Sequence, residues 1–187
     1  MDPPVFSAAC PRAIDWMGSE ILFKGEITRF YFRKCNVIKV RQYQADQAAL
    51  REAMRRVRLG RCIGLFPEGG IRVRERSILG DQFKLYDGAF MIAALQKVPI
   101  LPCLVIGSDR LYNPKSLLRR PPIWVRFGEI IPIVGEGREE IERLKRKTIE
   151  SIQNLARELR AEGEIQEDDW PQTPQERNPK IPPPKLN

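Results

Sequence analysis

The stretch that most restricts the fold runs from Asn36 to Phe66. NVIKV (Asn36 to Val40) is rich in β-branched residues and predicts a strand. DQAALREAMRRVRLG follows and predicts a helix, with Leu50, Ala53, Met54 and Val57 on one face. Asp46 is placed to cap its start and Gly60 its end. CIGLF (Cys62 to Phe66) is a continuous apolar run, as expected of a strand covered on both faces. Strand, helix and strand with short joints make a βαβ unit. A helical crossover carries the chain back to the end at which the first strand began, so the sheet must be at least partly parallel.

The pattern then repeats in a looser form. FKLYDGAFMIAALQK offers Leu85, Ala89, Ile92, Ala93 and Leu95 for a buried stripe, and PILPCLVIG reads as another buried strand. IWVRFGEIIPI predicts one more strand. Between Arg138 and Glu162, Ile141, Leu144, Ile152, Leu155 and Leu159 recur at helical spacing among charges, which predicts a long amphipathic helix. The expected fold class is therefore α/β: a βαβ-containing, largely parallel sheet flanked by helices, in a single domain over residues 1–163. Residues 164–187 carry six prolines in their last seventeen positions and little to bury, and predict a proline-rich disordered tail.

Composition narrows the chemistry. The 187 residues have a formal net charge of +8, which favours anionic partners: nucleic acid, an acidic membrane face or phosphorylated substrates. There is no histidine, which removes the usual proton shuttle near neutral pH and most zinc sites, and no metal is expected. Cys10, Cys35, Cys62 and Cys103 never form CxxC. With three of them beside apolar neighbours, a reduced cytosolic chain with buried thiols is expected. The most apolar region, Gly88 to Gly107, is broken by Gln96-Lys97, Pro99 and Pro102 and predicts a helix and a strand rather than a membrane span.

The candidate site is LFPEGGIRVRERS, Leu65 to Ser77. Ligands in open α/β sheets collect beyond the carboxyl ends of the strands. Pro67 turns the chain there, Glu68 would project into the crevice, and Gly69 and Gly70 let a ligand approach the backbone. Arg72, Arg74 and Arg76 follow, and guanidinium groups suit phosphate oxygens. The residues alone leave two readings open: a site for a phosphorylated or polyol ligand, or a tight turn followed by a solvated charge run.

Three blocks together resemble the glycerolipid acyltransferase family, which includes the 1-acylglycerol-3-phosphate acyltransferases. Phe66, Pro67, Glu68 and Gly69 match its Phe-Pro-Glu-Gly-Thr-Arg block. Val98, Pro99, Ile100 and Pro102 match its Val-Pro-Ile-X-Pro-Val block, with Cys103 in the last place. VIKVRQ resembles the block that precedes the first of these, putting Arg41 at its arginine. The similarity spans roughly residues 2 to 135. Two departures stand out. Gly70 and Ile71 replace the usual Thr and Arg, which shifts the expected phosphate contact to Arg72, and Cys35 and Asn36 occupy the region where the middle block has a glycine.

The resemblance implies acyl transfer from a thioester to an alcohol, with a His-X4-Asp block as the general base and its orienting carboxylate. Asp2 in MDPPVF resembles that aspartate, and its histidine would lie five positions earlier, outside these 187 residues. Either the true start lies upstream, which is the expectation, or this product lacks its base. The implied catalytic residue is Asp2, and the implied substrate-binding residues are Arg41, Glu68, Gly69, Gly70 and Arg72.

No cofactor is expected. The acyl donor would be a substrate, acyl-CoA or acyl carrier protein, and the acceptor a lysophospholipid such as 1-acylglycerol-3-phosphate in phospholipid biosynthesis. WMGSEILFKGEITRFYFRK (Trp16 to Lys34) mixes aromatics with Lys and Arg and suits an interfacial surface on an anionic membrane, though the same aromatics suit a core. The expected location is cytoplasmic and peripheral on the inner face of the membrane. Two other readings remain: a catalytically inactive lipid-binding remnant, and a basic nucleic-acid-binding domain. The latter has no helix-turn-helix, zinc knuckle or RNP-like motif behind it, and no nucleic acid is expected as a partner.

Overall fold

A strand that the hydrophobic pattern does not single out organises the parallel half of the molecule. In the computed structural model, which describes residues 2–23, 26, 30, 32, 34–41, 46–113, 118, 120–166 and 169–180, β1 (Ile14–Ser19) lies between β2 (Ile38–Val40) and β3 (Cys62–Gly64). It pairs parallel with both, Met17 opposite Ile38 and Ile14 opposite Cys62. The expected βαβ unit is present, but its strands are not neighbours, because α2 (Gln47–Arg58) carries the chain across β1. Asp15 and Gly18 interrupt the apolar run in IDWMGS, which hides the strand from a periodicity reading.

The α2 boundaries follow from local chemistry. The Asp46 side chain accepts a hydrogen bond from Ala49 N at 3.1 Å, and Gly60 takes φ +76° just past the helix end. Ala49 and Ala53 are buried against Ile38 and Ile92, while Leu50, Met54 and Val57 are partly covered. Asn36 belongs to a left-handed turn at φ +54°, so β2 starts two residues later than NVIKV suggests. β3 is half-buried along its length rather than enclosed on both faces.

The second half is antiparallel. β4 (Cys103–Ile106) pairs antiparallel with β5 (Trp124–Phe127), extended by a bridge between Ile100 and Ile131. The sheet structure of the described residues is thus a parallel three-strand unit and an antiparallel pair, less parallel than the sequence reading expected. Helices α3 (Gly88–Gln96) and α4 (Gly137–Ala161) pack on it. α3 begins only at Gly88, which leaves Leu85 buried ahead of the helix, and Leu95 faces outward at 60% exposure. On α4, Leu144, Thr148, Ile152, Leu155 and Leu159 recur every three or four residues and are buried, as the periodicity predicts, whereas Ile141 is only partly covered.

Three further expectations change. Trp16 does not sit on an interfacial surface: it is 9% exposed and stacks on Phe66 at 5.4 Å with an interplanar angle of 11°. Phe30 is exposed, and Lys24, Arg29, Tyr31 and Arg33 lie outside the described residues. The cysteines are free, as expected, but Cys10, Cys62 and Cys103 are half-buried and Cys35 exposed, so none is a fully buried thiol. Finally, the segment after α4 has partners. Ile165 joins the main core, and a short helix, α5 (Pro174–Arg177), lies against the 3-10 turn Ser108–Tyr112. The end of the expected tail, 181–187, lies outside the described residues.

Candidate active site

β1, β2 and β3 run parallel, so Ser19, Val40 and Gly64 end at one edge, and the loop beyond β3 leaves from there. Its first turn is tightly built. Gly69 N donates to Phe66 O at 3.1 Å, and Tyr86 N donates to Pro67 O at 2.8 Å. Gly69 has φ +69°, and a Cβ there would lie 2.5 Å from the Tyr86 ring, so glycine is required on two counts. Gly70 follows, half-buried.

That turn aims Glu68 inward. One of its carboxylate oxygens accepts from Ile78 N at 2.6 Å. Burial pushes the Glu68 carboxyl above its ordinary range, the Ile78 N–H and the Arg72 charge pull it back, and the charge of Asp2 adds to the rise. The charges of Arg72 and of Asp2, which is remote in sequence, thus both act on Glu68.

Asp2 reaches it through α1 (Asp2–Ala9). Phe6, 4% exposed, fixes that helix by packing on Trp16, Phe66 and Phe127 at ring distances of 6.0, 6.2 and 6.4 Å. Trp16 Nε1 donates to Ser7 Oγ at 2.9 Å and ties the helix to β1. The Asp2 carboxylate accepts a hydrogen bond from Ser108 Oγ, at the start of the turn that follows β4. Gly107 makes that turn possible at φ +89°, with Pro122 O packed where a side chain would be. Tyr112, in the same turn, is half-buried; burial and then the charges of Asp2 and Asp109 push its phenol up, so it stays neutral.

The other expected site residues separate. Arg41 follows β2 at the same sheet edge, but its N–H donates to Asp46 at 2.9 Å and its guanidinium pairs with Asp46 at 3.5 Å, so its described role is at the start of α2. Arg74 is left-handed at φ +53° and pairs with Glu176 at 3.1 Å. Arg76 is exposed. Ser108 and Tyr112 were not anticipated. The rule that led to Glu68, looking past the carboxyl end of a strand, leads to GSDRLY when applied after CLVI.

A family of acyltransferases matches residues 1–106, a span holding α1, all three parallel strands, the Glu68 turn and β4. This covers more than half of the chain. The protein belongs to the acyltransferase family. Its fold is similar to that of the 1-acyl-sn-glycerophosphate (LPA) acyltransferase PlsC from Thermotoga maritima, with 24% identity and a TM-score of 0.55 over 80% of this chain. The chain spans 58% of the length of that structure. No curated protein matches the sequence.

No group of three or more His, Cys, Asp or Glu is placed to hold a metal ion among the described residues. Among those residues, too, no helix is long and apolar enough to cross a membrane. What these residues offer is a carboxylate held by a hydroxyl, a second carboxylate whose pKa burial raises, and a guanidinium whose charge acts on it. That set can orient a base, hydrogen-bond a polyol and counter a phosphate.

Proposed function

We propose that the chain transfers a fatty acyl group from a thioester to the free hydroxyl of a lysophospholipid of the 1-acylglycerol-3-phosphate type. The observation that carries the reading is the tight turn beyond β3 that holds Glu68, its carboxylate accepting from Ile78 N at 2.6 Å with Arg72 four residues on, within the span that the family matches. Arg72 takes the acceptor phosphate, Glu68 hydrogen-bonds its glycerol portion, and Gly69 and Gly70 admit it against the backbone. A hydroxyl is a poor nucleophile at neutral pH, so a base must take its proton as it attacks the thioester carbonyl; the family resemblance gives that role to a histidine five positions before Asp2, outside these 187 residues, and as the ester C–O bond forms the C–S bond breaks and the sulfur leaves as a thiol carrying the proton. Asp2 fixes the tautomer of that histidine and stabilises the imidazolium. The donor is acyl-CoA or acyl carrier protein.

The site faces an anionic membrane in this reading. Ile71, 62% exposed, stands between Gly70 and Arg72, and Arg74 and Arg76 follow, so an apolar side chain and several cations border the crevice together. Phe30, 66% exposed with Lys34 Nζ 5.6 Å from its ring centre, offers a second such pair.

The 187 residues contain no histidine, which also favours a second reading in which the same crevice binds the lipid without turning it over. The test extends the chain at its N-terminus so that a histidine lies five positions before Asp2, and assays it with lysophosphatidate and an acyl thioester. Turnover should exceed that of the 187-residue chain by roughly 10²–10⁴-fold, the usual worth of a general base. Arg72→Ala in the extended chain should raise the acceptor KM roughly 10- to 100-fold with the donor KM unchanged. Equal turnover in both chains would remove the histidine from the mechanism, and binding with no turnover in either would leave the lipid-binding reading.

A further inference from the structure

The turn that holds Asp2 is itself held from behind. Ser108 and Asp109 are both 7% exposed. Ser108 Oγ donates to Asp2. Residues 169–180 grip the same turn at three points. Gln172 N donates to an Asp109 carboxylate oxygen at 3.1 Å, the Asp169 carboxylate pairs with Arg110, and Asn178 Nδ2 donates to Tyr112 O at 3.2 Å.

The gripping segment is anchored independently of the turn. Ile165 is buried in the main core, and the Arg160 guanidinium on α4 lies 4.3 Å from the Trp170 ring centre. Thr173 and Glu176 cap the start of α5 reciprocally, Glu176 N donating to Thr173 Oγ1 at 3.1 Å and Thr173 N to Glu176 Oε2 at 2.7 Å. The other oxygen of Glu176 takes Arg74, in the loop that carries Arg72. The segment thus links the Ser108–Tyr112 turn to the loop that carries Arg72.

We propose that residues 169–180 are a strap that positions Asp2 by fixing the Ser108–Tyr112 turn, and that Ser108 is the positioning residue through which it acts. This rests on the reading of Asp2 as the carboxylate that orients the base. A 3-10 turn of five residues has poor internal hydrogen-bond geometry and needs outside support. Removing the strap takes an N–H from the buried Asp109 carboxylate and leaves the turn to fray. Ser108 Oγ then no longer fixes Asp2, and misplacement of the order of 1 Å in a catalytic group costs roughly 10²-fold in rate.

Two measurements test the strap. In the 187-residue protein, a chain ending at Gln166 and the full-length variant Asp109→Ala should both keep native circular dichroism. The amides of Arg110 and Asn113, bonded within the turn to Gly107 O and Arg110 O, should exchange at least ~10-fold faster in both, with α4 amides unchanged. In the chain extended to carry the histidine, Ser108→Ala and the ending at Gln166 should each lower kcat roughly 10- to 100-fold with the acceptor KM within twofold, and Ser108→Thr should restore most of the loss. Unchanged exchange at Arg110 and Asn113 in both folded variants overturns the strap. Unchanged kcat in Ser108→Ala, or an equal loss in Ser108→Thr, overturns the positioning role. If the unaltered extended chain does not turn over at all, the role of Asp2 fails and the positioning role fails with it, while the exchange rates still decide the strap on their own.

Discussion

Two glutamates in this protein each accept a backbone N–H, and their environments push them in opposite directions. Glu140, in the first turn of α4, is 3% exposed; it accepts from Val134 N at 3.1 Å and is gripped by both arms of Arg143 at 2.6 and 2.8 Å. The Arg143 hydrogen bonds hold its carboxyl well below the usual range, at about 2. Glu68 accepts from Ile78 N at 2.6 Å, but Arg72 is only a nearby charge, and burial raises its carboxyl. Asp15 resembles Glu140: burial alone would raise it, and hydrogen bonds from Arg61 and Arg56 overcome that and leave it low. A structural carboxylate is completed by its own chain, whereas one kept short of partners is available to a ligand. The contrast separates the scaffold from the site without reference to any motif.

The largest expected effect lies on the scaffold side. Asp15, 1% exposed, joins β1 to Arg56 of α2 and to Arg61 just before β3. Asp15→Ala leaves Arg61, 40% exposed, to solvent and Arg56 with Glu52 and Asn36 O, so the loss is that of the charged hydrogen bonds across the sheet and should be about 1.5–3 kcal/mol in denaturant unfolding. A loss under ~1 kcal/mol would place this cluster with the surface ion pairs.

Arg143→Ala should have a smaller and pH-dependent effect. The folded pKa of Glu140 lies below its unfolded value, so the stability it contributes is present above about pH 4.5 and is lost as pH falls toward 2. The melting temperature of Arg143→Ala should fall furthest behind the parent near neutral pH, and the gap should close below pH 4. A gap that stays constant across that range would break the distinction between the two glutamates from the structural side.

Glu68→Gln should change stability least, and in the opposite sense. Gln keeps the oxygen that accepts from Ile78 N and drops the charge. Because the folded pKa of Glu68 is raised, its ionisation weakens the fold as pH rises from about 4.5 through that value. The variant should therefore match the parent near pH 4 and melt slightly higher at pH 7.

The parts of the fold legible in the sequence are those set by local physics. The α2 helix was readable because Asp46 caps it and its apolar residues recur at helical spacing, and the Glu68 turn because Pro67, Glu68 and Gly69 are contiguous. β1 was not, since Asp15 sits in it as a buried charge whose partners, Arg56 and Arg61, come from more than forty residues away. The segment after α4 was misread for a related reason. Composition counts apolar residues, and apart from Ile165 and Trp170 its attachment is made of single polar contacts, such as Gln172 N to Asp109, that no composition reveals. Ser108 meets Asp2 across 106 residues, a pairing that only the folded chain makes. Arg41 shows the converse: its place in a family block was legible in the sequence, but its bond to Asp46 was not.

The central claim, that the crevice between Glu68 and Arg72 receives the phosphate-bearing acceptor, is tested most directly by binding, which needs no turnover. Isothermal titration of the 187-residue protein with a short-chain lysophosphatidate below its micellar concentration should give a Kd that rises tenfold or more in Arg72→Ala and in Glu68→Gln. Arg126→Ala, which removes only an exposed pair with Glu162 at 3.2 Å, should bind as the parent does. Unaltered affinity in both Arg72→Ala and Glu68→Gln, with the loss appearing instead in Arg41→Ala, would contradict the account and move the acceptor site to the end of β2.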